Sequence, residues 1–187
     1  MNGIILFSSP NKEGNTYKLL YNIKEQVKID LKFINVYNLD ISPCIDCKYC
    51  SNVEGKCSIK DDMTFIYKEI EDAQFIFLAS PMYFGMFPAP LKALIDRTQV
   101  QWSVKHIFKR NSTKTKLGVF LFTAGAVWEN MFLPMETIGR YFFNTIDCSL
   151  IDKLYINNTD ITGLVDYDMD IKEKISTLTK NINSYIS

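Results

Sequence analysis

The sequence predicts a doubly wound α/β sandwich: one domain over residues 1–187, with a five-stranded parallel sheet in the order 2-1-3-4-5 and helices on both faces. Three observations lead there. Five short apolar runs are separated by stretches of helical periodicity. Most of these runs are continuously apolar rather than alternating, which suits strands buried on both faces. The first run breaks sharply into a small polar loop that opens a helix, and in this architecture ligands lie outside the C-terminal ends of strands 1, 3 and 4.

Gly3 to Phe7 is the first strand, and Tyr17, Leu20, Ile23 and Val27 then recur at helical spacing, so a helix starts near Asn15. Leu31 to Val36 reads as the second strand. Asp40-Ile41-Ser42-Pro43 breaks the pattern and leads into a cysteine-bearing loop at 43–60. Asp61-Asp62 opens a second helix with Met63, Ile66, Tyr67 and Ile70 on one face. Ala73 to Ala79 is the third strand, Ser80 to Pro90 a loop, and Leu91, Leu94, Ile95 and Thr98 mark the helix after it. Trp102 to Lys114 reads as irregular and polar. Lys116 to Thr123 is the fourth strand. Pro134 suits the first turn of a helix carrying Met135, Ile138 and Phe142. Cys148 to Ile156 is the fifth strand. A terminal helix bears Ile171, Ile175, Leu178, Ile182 and Ile186, started by Asp170 with Glu173 three residues on.

Composition narrows the function classes. Lys+Arg and Asp+Glu balance at 21 each with no basic run, which argues against nucleic acid and against an anionic membrane surface. The start of the chain lacks a basic region and a cleavage site, and Leu117 to Trp128, the longest apolar run, is too short to span a bilayer. The expected location is a reducing cytoplasm, where clustered cysteines point to metal or redox chemistry before disulfides.

The loop Ser8-Ser9-Pro10-Asn11-Lys12-Glu13-Gly14-Asn15-Thr16 has the makings of an anion site. Its hydroxyls and amides and the unpaired N–H groups of the helix start converge on one spot. Neither the triphosphate-loop nor the dinucleotide glycine pattern is present, and a hydroxyl-rich loop with one Lys suits a terminal phosphate monoester. The same residues also serve as a plain strand-to-helix turn in which Ser and Asn only cap the helix. The loops after strands 3 and 4 carry Tyr83, Phe84, Met86, Phe87 and Trp128. Such side chains suit a planar amphipathic ring, and equally a core or a subunit contact.

These loops resemble one family. S-S-P-N-K-E-G-N-T is similar to the opening of the flavodoxin-like, NAD(P)H-dependent FMN reductases, including their iron–sulfur flavoprotein branch. The resemblance implies that Ser9, Asn11, Gly14, Asn15 and Thr16 hold the FMN phosphate. Asn11 stands where the family usually has Arg, and Ser8 where it usually has Gly. The most specific match is S-P-M-Y-F-G-M-F-P-A-P-L-K-A-L-I-D-R. Its first half, Pro81, Met82, Tyr83, Phe84 and Gly85, would line the isoalloxazine ring, and the helix with Asp96 and Arg97 would lie at a dimer contact. Thr123, Ala124 and Gly125 would carry the ring's pyrimidine edge, with Ala124 in place of a family Gly.

Cys44, Cys47, Cys50 and Cys57 form C-x2-C-x2-C-x6-C. Three thiolates at this spacing can wrap three irons of a cubane and leave its fourth corner to a more distant Cys. Zinc, which usually takes two separated pairs, and a cluster-free thiol loop are the other readings. The spacing matches the compact motif that holds a [4Fe–4S] cluster in the iron–sulfur flavoproteins. Cys148 reads as a small buried hydrophobe. His106, the single histidine, reads as a solvated residue beside Lys105, Lys109 and Arg110, a basic group that would otherwise meet the phosphates of a nicotinamide donor.

The expected function is therefore an FMN-dependent oxidoreductase in which the flavin carries the chemistry and no side chain is required as acid or base. Electrons would come from NAD(P)H or a ferredoxin. They would leave to a small-molecule acceptor (a quinone, an azo or nitro compound, or free flavin) or to a cluster. A homodimer or homotetramer is expected. The rival readings are a non-enzymatic flavin and iron–sulfur electron carrier, and a cluster-free metal-binding or thiol redox module.

Overall fold

A computed structural model of the chain describes residues 1–110, 115–160 and 169–186. Its five strands are β1 (Asn2–Phe7), β2 (Asp30–Asn35), β3 (Phe75–Pro81), β4 (Lys116–Thr123) and β5 (Cys148–Ile156). All pair in parallel, in the order β2-β1-β3-β4-β5. The helices are α1 (Asn15–Lys24), α2 (Tyr49–Asn52), α3 (Met63–Asp72), α4 (Ala89–Arg97), α5 (Gln99–His106), α6 (Leu133–Thr145) and α7 (Met169–Ser184).

The continuous apolar character of the inner strands has a direct cause. Side chains alternate between the sheet's faces, and each face has its own core. Ile4, Leu6, Ile76, Leu78, Phe120 and Phe122 join Ile66 of α3, Leu91 of α4 and Phe142 of α6 on one side. Ile5, Phe7, Phe75, Phe77, Val119 and Leu121 join Leu19 of α1 and Ile175 of α7 on the other. A Leu, Ile or Phe buried this way contributes roughly 1.5–3 kcal/mol, so a one-residue slip in register, which exchanges the two sets, is strongly disfavoured.

One stretch departs from the sequence expectation. Trp102 falls within α5, a helix running from Gln99 to His106, rather than in irregular chain. Val100 and Ser103 form its buried stripe, too short and too polar to show as helical periodicity. Residues 111–114, the end of the same expected segment, lie outside the described residues. Asp170, the expected start of the terminal helix, sits inside the first turn of α7. Among the described residues, no helix is long and apolar enough to cross a membrane.

Candidate functional site

The order β2-β1-β3-β4-β5 reverses direction beside β1, and the loops leaving β1, β3 and β4 meet there. Ser8 prolongs β1 by donating its N–H to the Ala79 carbonyl (2.9 Å). The chain then turns through side-chain bonds of its own. Asn11 donates its N–H to Ser9 Oγ (3.2 Å), and Glu13 donates its N–H to Asn11 Oδ1 (2.9 Å). Asn11 therefore shapes the loop. Asn35, at the end of β2, braces it from below by donating Nδ2–H to the Ser9 carbonyl (3.3 Å).

Gly14 is the extended N-cap of α1, and no side chain caps that helix. Among the described residues, Asn15 Oδ1 on the first residue of α1 and Ser8 Oγ just past the end of β1 are buried without a hydrogen-bond partner. A buried hydroxyl or amide without a partner costs roughly 1–3 kcal/mol; the Ser8 hydroxyl can donate to a bound acceptor, whereas Asn15 Oδ1 can only accept. Thr16 is also buried. Its Oγ1 lies 2.6 Å from Thr123 Oγ1 and so ties the first loop to the end of β4.

The β3 loop is fixed by two tight contacts. Met82 donates its N–H to the Thr123 carbonyl (2.7 Å), and Tyr83 and Met86 exchange backbone bonds of 2.9 and 3.0 Å. Between them, Phe84 (φ 50) and Gly85 (φ 73) both take left-handed backbone, the signature of a type I′ turn. Gly accepts that conformation freely. Phe does not, yet Phe84 holds it with its ring fully exposed. The aromatics divide between the two readings of the sequence. Phe87 belongs to the core against Phe122, at 5.3 Å between ring centroids, and Met82 and Met86 pack on the same core. Tyr83, Phe84 and Trp128 stand in the open.

Ala124 donates its N–H to the Ile156 carbonyl (2.8 Å). The chain after β5 then folds back along this loop, with the Thr159 N–H bonded to Ala124 and the Asp160 N–H to Gly125. The Asp160 carboxylate rests against Gly125, where an added Cβ would meet it at 2.1 Å. A side chain at 125 would have to push that carboxylate aside. Asn15 Nδ2–H reaches the Thr159 carbonyl at 3.4 Å, joining this strap to the first loop. Asn35, Tyr37, Thr159 and Asp160 are thus parts of the site that sequence reasoning missed. Tyr37 faces Tyr83, and burial followed by that neighbour raises its phenol pKa.

The cysteine loop forms a second centre. Asp46 (φ 51), Lys48 (φ 59) and Gly55 (φ 68) turn it through left-handed backbone. Cys44, Cys47, Cys50 and Cys57 are all free thiols and line one cavity of about 240 Å³ together with Arg97 and Trp102. Cys47 Sγ lies 3.1 Å from Ser58 Oγ, a contact that lowers its pKa, and Ser103 of α5 directs its hydroxyl at Cys50 Sγ (3.6 Å). Among the described residues, no three His, Cys, Asp or Glu side chains close in as they would around a single ion. Cys148 stays apart, buried on β5, and burial pushes its thiol up to about 12.

Arg97, expected at a dimer contact, is buried inside the chain at 2% exposure. It donates to the Ser42 carbonyl (2.7 Å) and to both oxygens of Asp61 (2.6 and 3.0 Å). In the basic group beside His106, two cations are committed. Lys105 pairs with Asp147 (2.6 Å) and Arg110 with Glu54 (3.0 Å), while the His106 ring lies on Trp102 at 4.9 Å.

The family model for NADPH-dependent FMN reductases matches residues 1–132. The chain belongs to that family. Similar curated proteins include an iron–sulfur flavoprotein of Methanocaldococcus jannaschii, 40% identical over 102 residues, which are 53% of this chain and 52% of that protein. Another is an iron–sulfur flavoprotein of Methanosarcina thermophila, 34% identical over 121 residues, 63% of this chain and 60% of that one. The chain thus spans between half and two thirds of the length of these relatives. Among solved structures, an NAD(P)H:quinone oxidoreductase from Methanothermobacter marburgensis superimposes with a TM-score of 0.70 at 14% identity, covering 99% of this chain and 96% of that one. That likeness establishes the shared flavodoxin-like fold.

Proposed function

We propose that this chain is an FMN-dependent NAD(P)H oxidoreductase of the iron–sulfur flavoprotein kind, passing electrons to a small acceptor or to a cluster in its cysteine loop. The observation that carries the reading is the uncapped start of α1, set directly after the hydroxyl-rich loop that leaves β1 at the switch point of the sheet. An FMN phosphate fits there, since the loop hydroxyls and the helix N–H groups all donate to an anion.

Ser9, Gly14, Asn15 and Thr16 would hold the phosphate, with Asn11 shaping the loop around it. Met82 to Gly85 would border the ring, and Thr123, Ala124 and Gly125 would offer backbone groups to its polar edge. When bound, FMN supplies hydride acceptance and one-electron transfer. The protein would orient it, with the exposed Tyr83 and Trp128 on the loops that border the ring.

The four thiols around one cavity fit a [4Fe–4S] cluster by donor type and number. The names of the two curated relatives support the same reading. A second copy of the chain would cover the exposed Phe84 turn, in a homodimer or homotetramer. Visible absorption of anaerobically purified protein tests both cofactors, because flavin and iron–sulfur bands differ. Bleaching of the flavin band by NAD(P)H with steady-state turnover separates an enzyme from an electron carrier, which shows no turnover with small acceptors.

A further inference from the structure

The cysteine cavity has an outer wall that its motif does not reveal. Arg97 closes α4 and Ser103 lies on α5, with only Thr98 between the two helices. The ends of the cysteine loop meet on Arg97. Its guanidinium bonds to the Ser42 carbonyl on one side and to the Asp61 carboxylate on the other, while the Ser42 N–H donates to Asp61 Oδ2 (3.0 Å). Residues 43–60 therefore hang from this buried clasp, beside a second tie in which Asp40 and Asp62 exchange bonds of 2.8 and 3.1 Å. The Tyr67 hydroxyl holds the clasp in turn, donating to the Arg97 carbonyl at 2.8 Å.

Two donors on this wall have no ordinary partner. Arg97 Nε–H is buried and has no partner among the described residues, although Arg97 lines the cavity. The other cation of the wall, Lys48, is already paired with Asp46 at 2.5 Å. Ser103 is fully buried, and its hydroxyl points at Cys50 Sγ. A buried hydroxyl aimed at sulfur contributes most when that sulfur is anionic, because bonds to charged acceptors are the strong ones.

We propose that Arg97 and Ser103 are the positioning residues of the cysteine centre: Arg97 clamps the loop shut, and both residues donate to anionic sulfur held in the cavity, favouring the more negatively charged, reduced state. This rests on the reading of the loop as an iron–sulfur site. Hydrogen bonds to cluster sulfur and burial of the cluster are the protein's main means of setting its potential. Ser103 removes no ligand and leaves no cavity of consequence when trimmed to Ala, so its effect is on the electronics alone. Arg97 acts on both loop closure and charge.

The test uses the full chain, reconstituted anaerobically with ferrous iron and sulfide. The wild type takes up both. Ser103→Ala retains the same iron and flavin content but has a lower midpoint potential. The expected change is about tenfold in the reduced-to-oxidised ratio at fixed potential, or about 59 mV for a one-electron couple. Arg97→Lys, read before any iron is added, is cut faster after Glu54 by a glutamate-specific protease, and it loads less iron with its flavin unchanged.

Iron uptake by the wild type together with an unchanged potential in Ser103→Ala overturns the donor role. Unchanged cleavage in Arg97→Lys overturns the clasp. Absence of iron uptake by the wild type rejects the iron–sulfur reading and the donor role with it, and the cleavage comparison still decides the clasp.

Discussion

Arg97 and Asp61 form a bidentate ion pair across 36 positions of sequence, with N–O distances of 2.6 and 3.0 Å and side-chain exposures of 1% and 4%. Removing one partner of such a pair strands a buried charge, at a cost of roughly 3–5 kcal/mol. Asp61→Asn should therefore lower stability by about that amount in chemical denaturation. The double variant Arg97→Met with Asp61→Leu should lose much less than the sum of its single changes. Additive losses would mean that the two residues act independently.

Glu136 gives the clearest pH signature. Burial alone would raise its carboxyl, but hydrogen bonds from Lys153, Arg140 and Tyr155 hold it down at about 2. The folded pKa lies below the unfolded one. The stabilisation is therefore complete above the ordinary carboxylate range and is lost as pH falls from about 4.5 towards 2. Glu136→Gln should cost roughly 1–2 kcal/mol at neutral pH, after screening of the half-exposed Lys153 and Arg140. The gap from the wild type should close in that acid window, and thermal melts at neutral pH and at pH about 3 check it.

Ser8 and Thr16 separate binding from stability. Ser8 Oγ has no partner among the described residues, so Ser8→Ala should leave the flavin-free protein as stable or slightly more so. FMN affinity should fall about tenfold, the equivalent of about 1.4 kcal/mol. Thr16→Val leaves Thr123 Oγ1 buried without its 2.6 Å partner. It should lose roughly 1 kcal/mol of stability as well as about ten- to a hundredfold in affinity. Melting temperature and FMN titration, measured on both variants, distinguish these patterns.

How much of this was legible in the sequence depended on how local each signal was. The sheet order could be read because Ile4 to Phe7, Phe75 to Ala79 and Val119 to Phe122 are buried on both faces and so uninterrupted by polar residues. The first loop could be read because Ser9, Gly14, Asn15 and Thr16 are neighbours in the chain. Thr159 and Asp160 could not, since they reach Asn15 and Gly125 only after β5 is in place. Helix α5 was obscured by a stripe of Val100 and Ser103 alone. Arg97 was assigned outward on resemblance, whereas its charge is neutralised inward by Asp61, a pairing that spacing does not encode.

The cysteines sort by environment. Cys50 lies in the shared cavity, whereas Cys148 is buried on β5 and does not line it, burial raising its thiol to about 12. Cys50→Ala should abolish iron content after anaerobic reconstitution while leaving FMN bound. Cys148→Ala should retain both cofactors. Iron loss in the Cys148 variant with retention in the Cys50 variant would reverse the assignment.

Titration of the flavin-free protein with FMN, followed by quenching of flavin fluorescence, tests the central claim most directly. The uncapped start of α1 and the hydroxyl-rich loop before it predict saturation at about one FMN per chain, with riboflavin, which lacks the phosphate, binding at least tenfold more weakly. Equal affinity for FMN and riboflavin, or no quenching by either, would contradict it.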